Sequence, residues 1–443
     1  MTFEFFEGAA GTGKTHSLVA RAARLVEEGI LDEERRLLAL TFMNGSRRRL
    51  EARLAENTVF SRRFACQTFD VFARTISSRR ISMLTPELQQ EAETLGEFDG
   101  PCFLAATLLE LEPVRQWVAR SYPIVLVDEA QDLDPYRARI LQELSKSCMI
   151  LAAADGFQCL QDGRDTAELI GWLENAGVTT PLTQPRRTNQ QGLLDAALAV
   201  REARDIKDVL TERNFQNRTS WTGAGFRLLE AHATQRNAGL LAWNISNEFS
   251  RRQGNCAVLT PDGNNRIIHA ALETVRTKSY TRSNDNVTFG PFSVVWERHD
   301  TASAQELLDG VEIPEMASPE DIALILDPFR AHPCISQTIG RIDRLRRVSG
   351  QVEFPKSEIE NFVKDAMRDR ARLGFRKESK RAAMTIQRAK NREFQNVIVL
   401  WPHTATGSDE HLRRLLYNGI TRAKSHCTVI VLGQGRSDQA PFQ

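Results

Sequence analysis

The sequence lacks the features that define several protein classes. Its seven cysteines include no CxxC pair, so their spacing indicates neither a zinc knuckle nor a disulfide framework. No apolar run approaches the ~20 residues of a membrane-spanning helix, and no repeat or low-complexity tract is present. We therefore expect a protein of the reducing cytoplasm, without a membrane contact.

A surplus of charge of one sign is also absent. The 58 Lys and Arg residues against 57 Asp and Glu residues leave a net charge of +1, so a site for a polyanion must come from local clusters. The 443 residues predict two or more domains. Only seven residues, two of them acidic, precede Gly8, so we expect no signal peptide.

A complete phosphate-loop pattern, GxxxxGK[ST], runs from Gly8 to Thr15. It lies between a predicted strand (3–6) and a predicted helix (16–28), which is the context that the pattern requires. Its glycines allow backbone N–H groups to face a phosphate at a helix N-terminus. Lys14 can reach the β- and γ-phosphates, and the Thr15 hydroxyl can bind Mg²⁺. Nucleotide binding is therefore predicted for Gly8, Ala9, Ala10, Gly11, Thr12, Gly13, Lys14 and Thr15.

Short apolar runs predict the sheets, because continuous runs of this length suit parallel strands buried on both faces. They fall at 3–6, 37–40, 64–66, 124–127 and 150–154, and later at 226–229, 257–260, 397–401 and 428–432. Two stretches interrupt the alternation of predicted strands and helices. The first, 77–121, is mostly helical. The second, 262–380, is rich in turns and ends with a predicted helix at 358–372. We predict an α/β fold with domains 1–180 and 181–443, carrying insertions at about 77–121 and 262–380.

An acidic pair follows the predicted strand 124–127. A carboxylate at the end of a strand beside the phosphate loop can hold Mg²⁺, and this role is predicted for Asp128. The next residue, Glu129, can orient and deprotonate the attacking water. An isolated Asp-Glu pair usually belongs to a solvated loop, but its position after a complete phosphate loop favours the functional interpretation.

With these residues the chain resembles the UvrD/Rep-like branch of superfamily 1 helicases along nearly its whole length. The similar segments are, in order, 40–44 (LTFMN, like LTFTN), 68–72 (TFDVF, like TFHSF), 128–132 (DEAQD), 154–158 (ADGFQ, like GDxxQ), 182–188 (LTQPRRT, like LxQNYRS), 385–394 (TIQRAKNREF, like THxxKGLEF) and 417–424 (YNGITRAK, like YVAxTRAK). The resemblance implies two RecA-like parallel-sheet domains, ATP and Mg²⁺ as cofactors, and stepping along single-stranded DNA.

The resemblance also implies roles for single residues. Gln158 would contact the γ-phosphate, and Glu393 would hydrogen-bond the ribose. Arg187 and Arg422, from the second domain, would neutralise charge in the transition state. Taken alone, Arg187 and Glu393 would more often be surface salt-bridge residues. The DNA-contact positions would be Thr41, Phe42, Asn44, Arg47, Thr68, Phe69, Thr385 and Arg388.

The chain departs from the family pattern at several positions. No glutamine precedes the phosphate loop to recognise adenine, so base binding would depend on stacking against His16 and Arg186. After 154–158 no aromatic residue occurs before Trp172, where the family has base-stacking residues. The family histidines are replaced by Asp70 and Gln387. Basic clusters at 47–49, 341–347 and 364–381 partly compensate for these losses, although a protein partner is the main alternative for 364–381.

The sequence therefore predicts an ATP- and Mg²⁺-dependent DNA helicase or translocase acting on single-stranded or forked DNA. The alternative is a helicase-like regulatory ATPase that binds DNA and a nuclease, in antiviral defence or DNA repair. The helicase-like subunit of Gabija-type antiphage systems, with its OLD-family nuclease, is a precedent for this alternative. A nucleotide-binding pseudoenzyme is disfavoured because the catalytic residue types are all present.

Overall fold

The computed structural model of the chain describes residues 2–32, 34–160, 166–215, 218–231, 238–282, 284–297, 308–330, 332–373, 379–433 and 435–443. Two compact units are present, the first formed by residues 1–292 with 385–443 and the second by residues 293–384. The predicted α/β class is confirmed, because parallel strands alternate with helices along most of the first unit.

A six-stranded parallel sheet forms the first half of the larger unit. Its strands are β1 (Phe3–Gly8), β2 (Leu37–Thr41), β3 (Phe64–Thr68), β4 (Ile124–Val127), β5 (Met149–Ala154) and β6 (Val178–Leu182). They are arranged in the order β3-β2-β4-β5-β1-β6. Because β1 lies between β5 and β6 and β4 lies beside β5, the loops after β1 and β4 leave the same edge of the sheet. This edge therefore receives both the phosphate loop and the acidic pair.

Helices cover both faces of this sheet. They are α1 (Lys14–Glu27), α2 (Asn44–Glu56), α3 (Phe69–Arg80), α4 (Pro86–Thr94), α5 (Gly96–Leu109), α6 (Glu112–Ser121), α7 (Pro135–Ser145) and α8 (Ala167–Asn175). Neighbouring strand residues point to opposite faces, so Phe5 packs in one core and Phe6 in the other. Burial on both sides explains why these strands are continuous apolar runs.

The helical segment predicted as an insertion shares the core of the first sheet. Ala92, Ala105 and Val118, from α4, α5 and α6, belong to the same buried cluster as Phe3 and Phe5. The predicted boundary at residue 180 falls inside β6, which pairs with β1 through Leu182. The division at 180–181 therefore cuts a strand of the first sheet, and the domain limits stay a prediction.

Within the described residues, the rest of the chain forms twelve further strands and eight further α-helices. The strands are β7 (Thr211–Phe215), β8 (Arg218–Gly223), β9 (Phe226–Ala231), β10 (Cys256–Thr260), β11 (Tyr280–Thr281), β12 (Thr288–Phe289), β13 (Val295–Trp296), β14 (Met316–Ala317), β15 (Phe354–Pro355), β16 (Arg381–Thr385), β17 (Phe394–Trp401) and β18 (Ala423–Leu432). The helices are α9 (Gln191–Arg201), α10 (Ala238–Arg251), α11 (Arg266–Thr277), α12 (Pro319–Leu326), α13 (Pro333–Ser349), α14 (Lys356–Leu373), α15 (Ile386–Ala389) and α16 (Asp409–Ile420).

A second sheet completes the larger unit. Strands β10, β17, β18 and β9 pair in parallel, as their apolar runs predict. Strands β8 and β7 then continue the sheet in antiparallel pairing. These two strands were not predicted, because polar residues interrupt every apolar run in this part of the sequence. Arg422 and Glu393 directly precede β18 and β17, so both lie at one edge of this sheet.

Helix α11 was not predicted, because the sequence around it is rich in turn residues. The Asn265 side chain caps it by accepting hydrogen bonds from the backbone N–H groups of Ile267 and Ile268. Its buried residues Ile268, Leu272 and Val275 follow helical spacing. Both signals are visible in the sequence, and they mark a helix inside the region predicted as an insertion.

The smaller unit, residues 293–384, has its own core. Residues of three helices meet there, including Ile322 of α12, Ile335 of α13 and Val363 of α14. Among its short strands, β13 pairs with β16 in parallel and β14 pairs with β15 in antiparallel. The predicted helix 358–372 lies within α14. Among the described helices, none combines the length and the apolar character that a membrane crossing requires.

Candidate nucleotide site

The phosphate loop connects β1 to α1 and has little room for side chains. Gly11 and Gly13 have φ angles of +83° and +92°, in the left-handed region that favours glycine. A Cβ at Gly11 would lie 2.9 Å from Cβ of Arg187, and one at Gly13 would lie 2.8 Å from Cδ of Arg186. The glycines are therefore needed both for the turn and for the close approach of two arginines.

Lys14 is buried at the start of α1. Its Nζ donates hydrogen bonds to the carbonyl oxygens of Gly8 (2.8 Å) and Ala9 (3.2 Å). The same Nζ lies 3.4 Å from Oε1 of Gln158, which follows β5. A positive charge is thus held inside the loop, beside the glutamine that the family resemblance places at the γ-phosphate.

Thr15, in the first turn of α1, and Asp128, directly after β4, bring two oxygen atoms together. The Thr15 hydroxyl donates to Oδ2 of Asp128 at 2.7 Å. Burial, together with the neighbouring charge of Glu129, raises the pKa of Asp128 above its usual range. A divalent cation would offset this crowding of negative charge, and hydroxyl and carboxylate oxygens are ligands that Mg²⁺ prefers. The two residues therefore fit a magnesium site.

Glu129 has a left-handed backbone, with a φ angle of 59°. Burial would raise its pKa, but the charges of Lys14 and Lys390 lower the pKa below the usual range. The Nε2 of Gln131 adds a hydrogen bond to the Glu129 carboxylate at 2.5 Å. This carboxyl group is therefore ionised at neutral pH and can accept a proton from water.

A pair of cations faces Glu393. Nη2 of Arg187 and Nζ of Lys424 each lie 2.9 Å from one of its carboxylate oxygens. Burial would raise the pKa of Glu393, but these two cations lower it to about 2. Arg187 also donates to the carbonyl oxygen of Thr421 at 2.6 Å. Arg187, which follows β6, is therefore bound to residues that flank two strands of the second sheet.

Arg422 is a buried cation, only 3% exposed. Burial and the nearby charge of Arg187 lower its pKa to about 9. Its Nε donates to the carbonyl oxygen of Asn418 at 3.0 Å, which fixes the direction of the guanidinium group. The group stays protonated at neutral pH, and its positive charge is held in a poorly solvated position.

One cavity of about 890 Å³ brings most of the predicted site together. This volume lies within the usual range of ligand pockets, roughly 300–1,000 Å³. The predicted residues that line it are Gly11, Gly13, Lys14, Thr15, His16, Asp128, Glu129, Gln158, Arg186, Arg187, Glu393 and Arg422. The other predicted loop residues, Gly8, Ala9, Ala10 and Thr12, shape the loop without being among the lining residues.

Several lining residues were not predicted. One face of α2 and the turn after it contribute Ser46, Arg49, Leu50, Arg53, Glu56, Asn57 and Thr58. Their spacing of three and four residues is the helical signal that would have grouped them. Arg49 was predicted to belong to a basic cluster for nucleic acid, whereas its side chain faces this cavity. Burial lowers the pKa of Arg49, against the opposing effect of Glu129 and Asp128.

The acid that replaces a family histidine is neutralised inside the first domain. Arg137, on α7, is buried and donates through Nε to Asp70 at 3.1 Å. The Arg137 guanidinium also lies 5.6 Å from the ring centre of Phe42 and pairs with Asp99 at 3.1 Å. Asp70, which replaces a family histidine, is therefore a structural partner of Arg137.

The other positions predicted to contact DNA lie apart from the cavity. Phe69 is 1% exposed and packs in the core of the first sheet, so its ring is not presented to solvent. Thr68 caps α3 by accepting from the N–H group of Val71. Thr41 is fully buried, and Arg47 pairs with Glu51 on its own helix at 2.6 Å.

Two further predicted DNA positions belong to the second half of the larger unit. Thr385 caps α15 by accepting from the N–H group of Arg388 at 3.3 Å. The side chain of Arg388 is half-buried. Asn44 is the first residue of α2, and the structure describes its backbone but not its side chain. The polar segment 161–165 and the side chains of Arg368, Arg370, Arg372, Arg376 and Lys377 lie outside it.

A buried ion pair joins two of the motifs. Nζ of Lys390 lies 2.5 Å from Oδ1 of Asp132, and the two side chains are only 8% and 6% exposed. The next residue, Asn391, has a φ angle of 69° and donates to the hydroxyl of Ser46 at 2.6 Å. These contacts hold the segment 385–394 against the acidic motif and α2.

The fold and this cavity define a phosphate-loop nucleotide-binding protein with two RecA-like sheets. Residues 5–94 and 84–160 match the model of the UvrD/REP helicase N-terminal domain, and residues 381–430 match that of the UvrD-like helicase C-terminal domain. These matches confirm the resemblance to UvrD/Rep-like helicases that the motif order predicted. A comparison with curated proteins gives no match.

The ion pair between Lys390 and Asp132 leads to a prediction about stability. We expect Lys390→Met to lower the free energy of unfolding by ~3 kcal/mol, because it removes the cation of a buried ion pair and keeps the Asp132 charge in a poorly solvated position. Adding Asp132→Asn should recover part of this loss. As a control, Arg204→Met removes an ion pair with Glu202 in which both side chains are exposed, and it should cost less than ~1 kcal/mol. Denaturant unfolding that shows equal losses for the two single variants would contradict the prediction.

Proposed function

We propose that the chain is an ATP- and Mg²⁺-dependent DNA helicase or translocase that acts on single-stranded or forked DNA. One observation supports this most strongly: a single cavity is lined by the phosphate loop, by a carboxylate pair and by two arginines that contact the second sheet. We further propose a cytoplasmic location, which the spacing of the seven cysteines, without a CxxC pair, favours.

In the proposed reaction, Lys14 and the loop amides hold the β- and γ-phosphates. Thr15 and Asp128 would hold Mg²⁺, which neutralises phosphate charge when it is bound. Glu129 orients the attacking water and accepts its proton, for which an ionised carboxylate is required. Gln158, beside Lys14, contributes a neutral amide that can hydrogen-bond the same water. Each of these groups is held by hydrogen bonds within the chain.

The two arginines would stabilise the transition state from the other side of the cavity. Charge spreads over the transferred phosphoryl group, and a guanidinium group placed there raises the rate by ~10³-fold or more. Arg187 is held by Glu393 and by the Thr421 carbonyl, so a γ-phosphate would compete with these partners. ATP would therefore make contacts across the two sheets that ADP lacks, which is what a nucleotide-driven movement needs.

The catalytic assignment predicts different effects for two variants. Glu129→Gln should bind ATP normally and lose turnover by ~10²-fold or more, because it removes the base and preserves the shape. Lys14→Ala should instead weaken ATP binding, because it removes the buried cation of the loop. The measurements are phosphate release and the affinity for a fluorescent ATP analogue. Near-normal turnover by Glu129→Gln would remove Glu129 from the mechanism.

A second candidate function is a regulatory ATPase that binds DNA and a nuclease of the OLD type without processive unwinding. The observation that favours it is the loss of predicted DNA contacts. Phe69 is in the core, Arg49 faces the nucleotide cavity and Arg47 pairs with Glu51. Few stacking groups then remain to hold bases alternately during stepping. Roles in antiviral defence or in DNA repair are both compatible with this candidate.

Among the described residues, few aromatic side chains are available to stack on DNA bases. We therefore expect salt-sensitive binding to single-stranded DNA and poor unwinding by the chain alone. Affinity, measured by fluorescence anisotropy, should fall ~10-fold or more between about 50 and 200 mM salt. Arg388→Gln should reduce the slope of log K against log[salt] by about 0.7, whereas Arg35→Gln, which removes an exposed pair with Asp32, should leave it unchanged. Unwinding of a long duplex by the chain alone at physiological salt would exclude the regulatory candidate.

A further inference from the structure

A tyrosine of the last motif is hydrogen-bonded to the phosphate loop. The backbone N–H group of Ala10 donates to the hydroxyl oxygen of Tyr417 at 2.9 Å. Tyr417 lies on α16, in the second half of the larger unit, and is 2% exposed. The loop therefore has a direct polar contact with a helix that packs beside the second sheet.

The tyrosine hydroxyl belongs to a buried polar network. It lies 3.4 Å from Oδ2 of Asp155, and Nη1 of Arg201 donates to Oδ1 of Asp155 at 2.9 Å. Burial, together with the charge of Asp155, raises the pKa of Tyr417 to about 12. The hydroxyl is therefore protonated at neutral pH, so it can accept from Ala10 and donate to Asp155 at the same time.

The same network sets the turn that presents Gln158. Oδ1 of Asp155 accepts from the N–H group of Phe157, and the carbonyl oxygen of Asp155 accepts from the N–H group of Gln158. The Phe157 ring packs edge-on against the Tyr417 ring with centroids 5.1 Å apart. The Arg201 guanidinium lies 5.6 Å from the Phe157 ring centre. Through Tyr417, α16 thus acts on both the loop and the turn before Gln158.

We propose that Tyr417 is a positioning residue that couples the second half of the unit to the phosphate loop. This inference rests on the proposed ATPase function and adds a residue to it. A movement of α16 would pull on the Ala10 amide and on the Asp155 turn together. The hydroxyl would then control how well Gln158 and the loop are aligned for hydrolysis, while the phosphate-binding groups themselves stay intact.

The test is Tyr417→Phe, which removes the hydroxyl and keeps the ring that packs on Phe157. We expect kcat for ATP to fall about tenfold, the loss expected for ~1.4 kcal/mol, with KM for ATP changed less than about twofold and the stimulation by single-stranded DNA reduced. The melting temperature should be nearly unchanged. Tyr280→Phe is the matched control, because Tyr280 lies on β11 and is not among the cavity residues; its kinetics should equal those of the parent.

The outcomes distinguish the proposed role of Tyr417 from the proposed ATPase function. Parent and Tyr417→Phe proteins that hydrolyse ATP at the same kcat would overturn the inference and leave the ATPase proposal standing. A variant that loses nucleotide affinity, or melts much earlier, with kcat unchanged would show a structural role and also overturn it. A parent chain without turnover would overturn the proposed function, and this inference with it.

Discussion

The close contact between the phosphate loop and the two arginines after β6 constrains the rest of the site. The carbonyl oxygen of Gly11 accepts hydrogen bonds from the N–H groups of Arg186 and Arg187, at 2.7 and 3.1 Å. Any Cβ at Gly11 or Gly13 would collide with these arginines. The loop and the segment after the first sheet are therefore in direct contact, with no room for a side chain at these two glycines. A shift of that segment would act directly on the loop.

The charges of the cavity follow from this docking. Arg187 pairs with Glu393, the residue before β17, and Lys424 completes the neutralisation of that carboxylate. On the opposite wall, Asp128 and Glu129 place two negative charges beside Lys14. Oriented charges of this kind, held in a poorly solvated cavity, stabilise a charged transition state without reorganising. The cavity thus has an acidic wall suited to a metal ion and a basic wall suited to a phosphoryl group.

Local sequence was sufficient for the features that depend on short segments. The phosphate loop, the strand before Asp128 and the four parallel strands of the second sheet were all predicted, because buried parallel strands need continuous apolar runs. Strands β7 and β8 were missed because they are held by antiparallel pairing, β8 with β9 and β7 with β8, and not by continuous apolar runs. The buried position of Phe69 and the orientation of Arg49 depend on how α3 and α2 pack, and a motif position alone does not contain that information. The role of Asp70 required knowing that Arg137, 67 residues away, lies beside it.

We propose that the acidic and basic walls of the cavity together form an ATPase site whose activity responds to DNA. The most direct test measures phosphate release by the chain alone, with Mg²⁺, in the presence and absence of single-stranded DNA. We expect Mg²⁺-dependent hydrolysis of ATP that single-stranded DNA stimulates and that chelation of the metal abolishes. A chain that binds ATP but shows no hydrolysis under either condition would contradict this proposal.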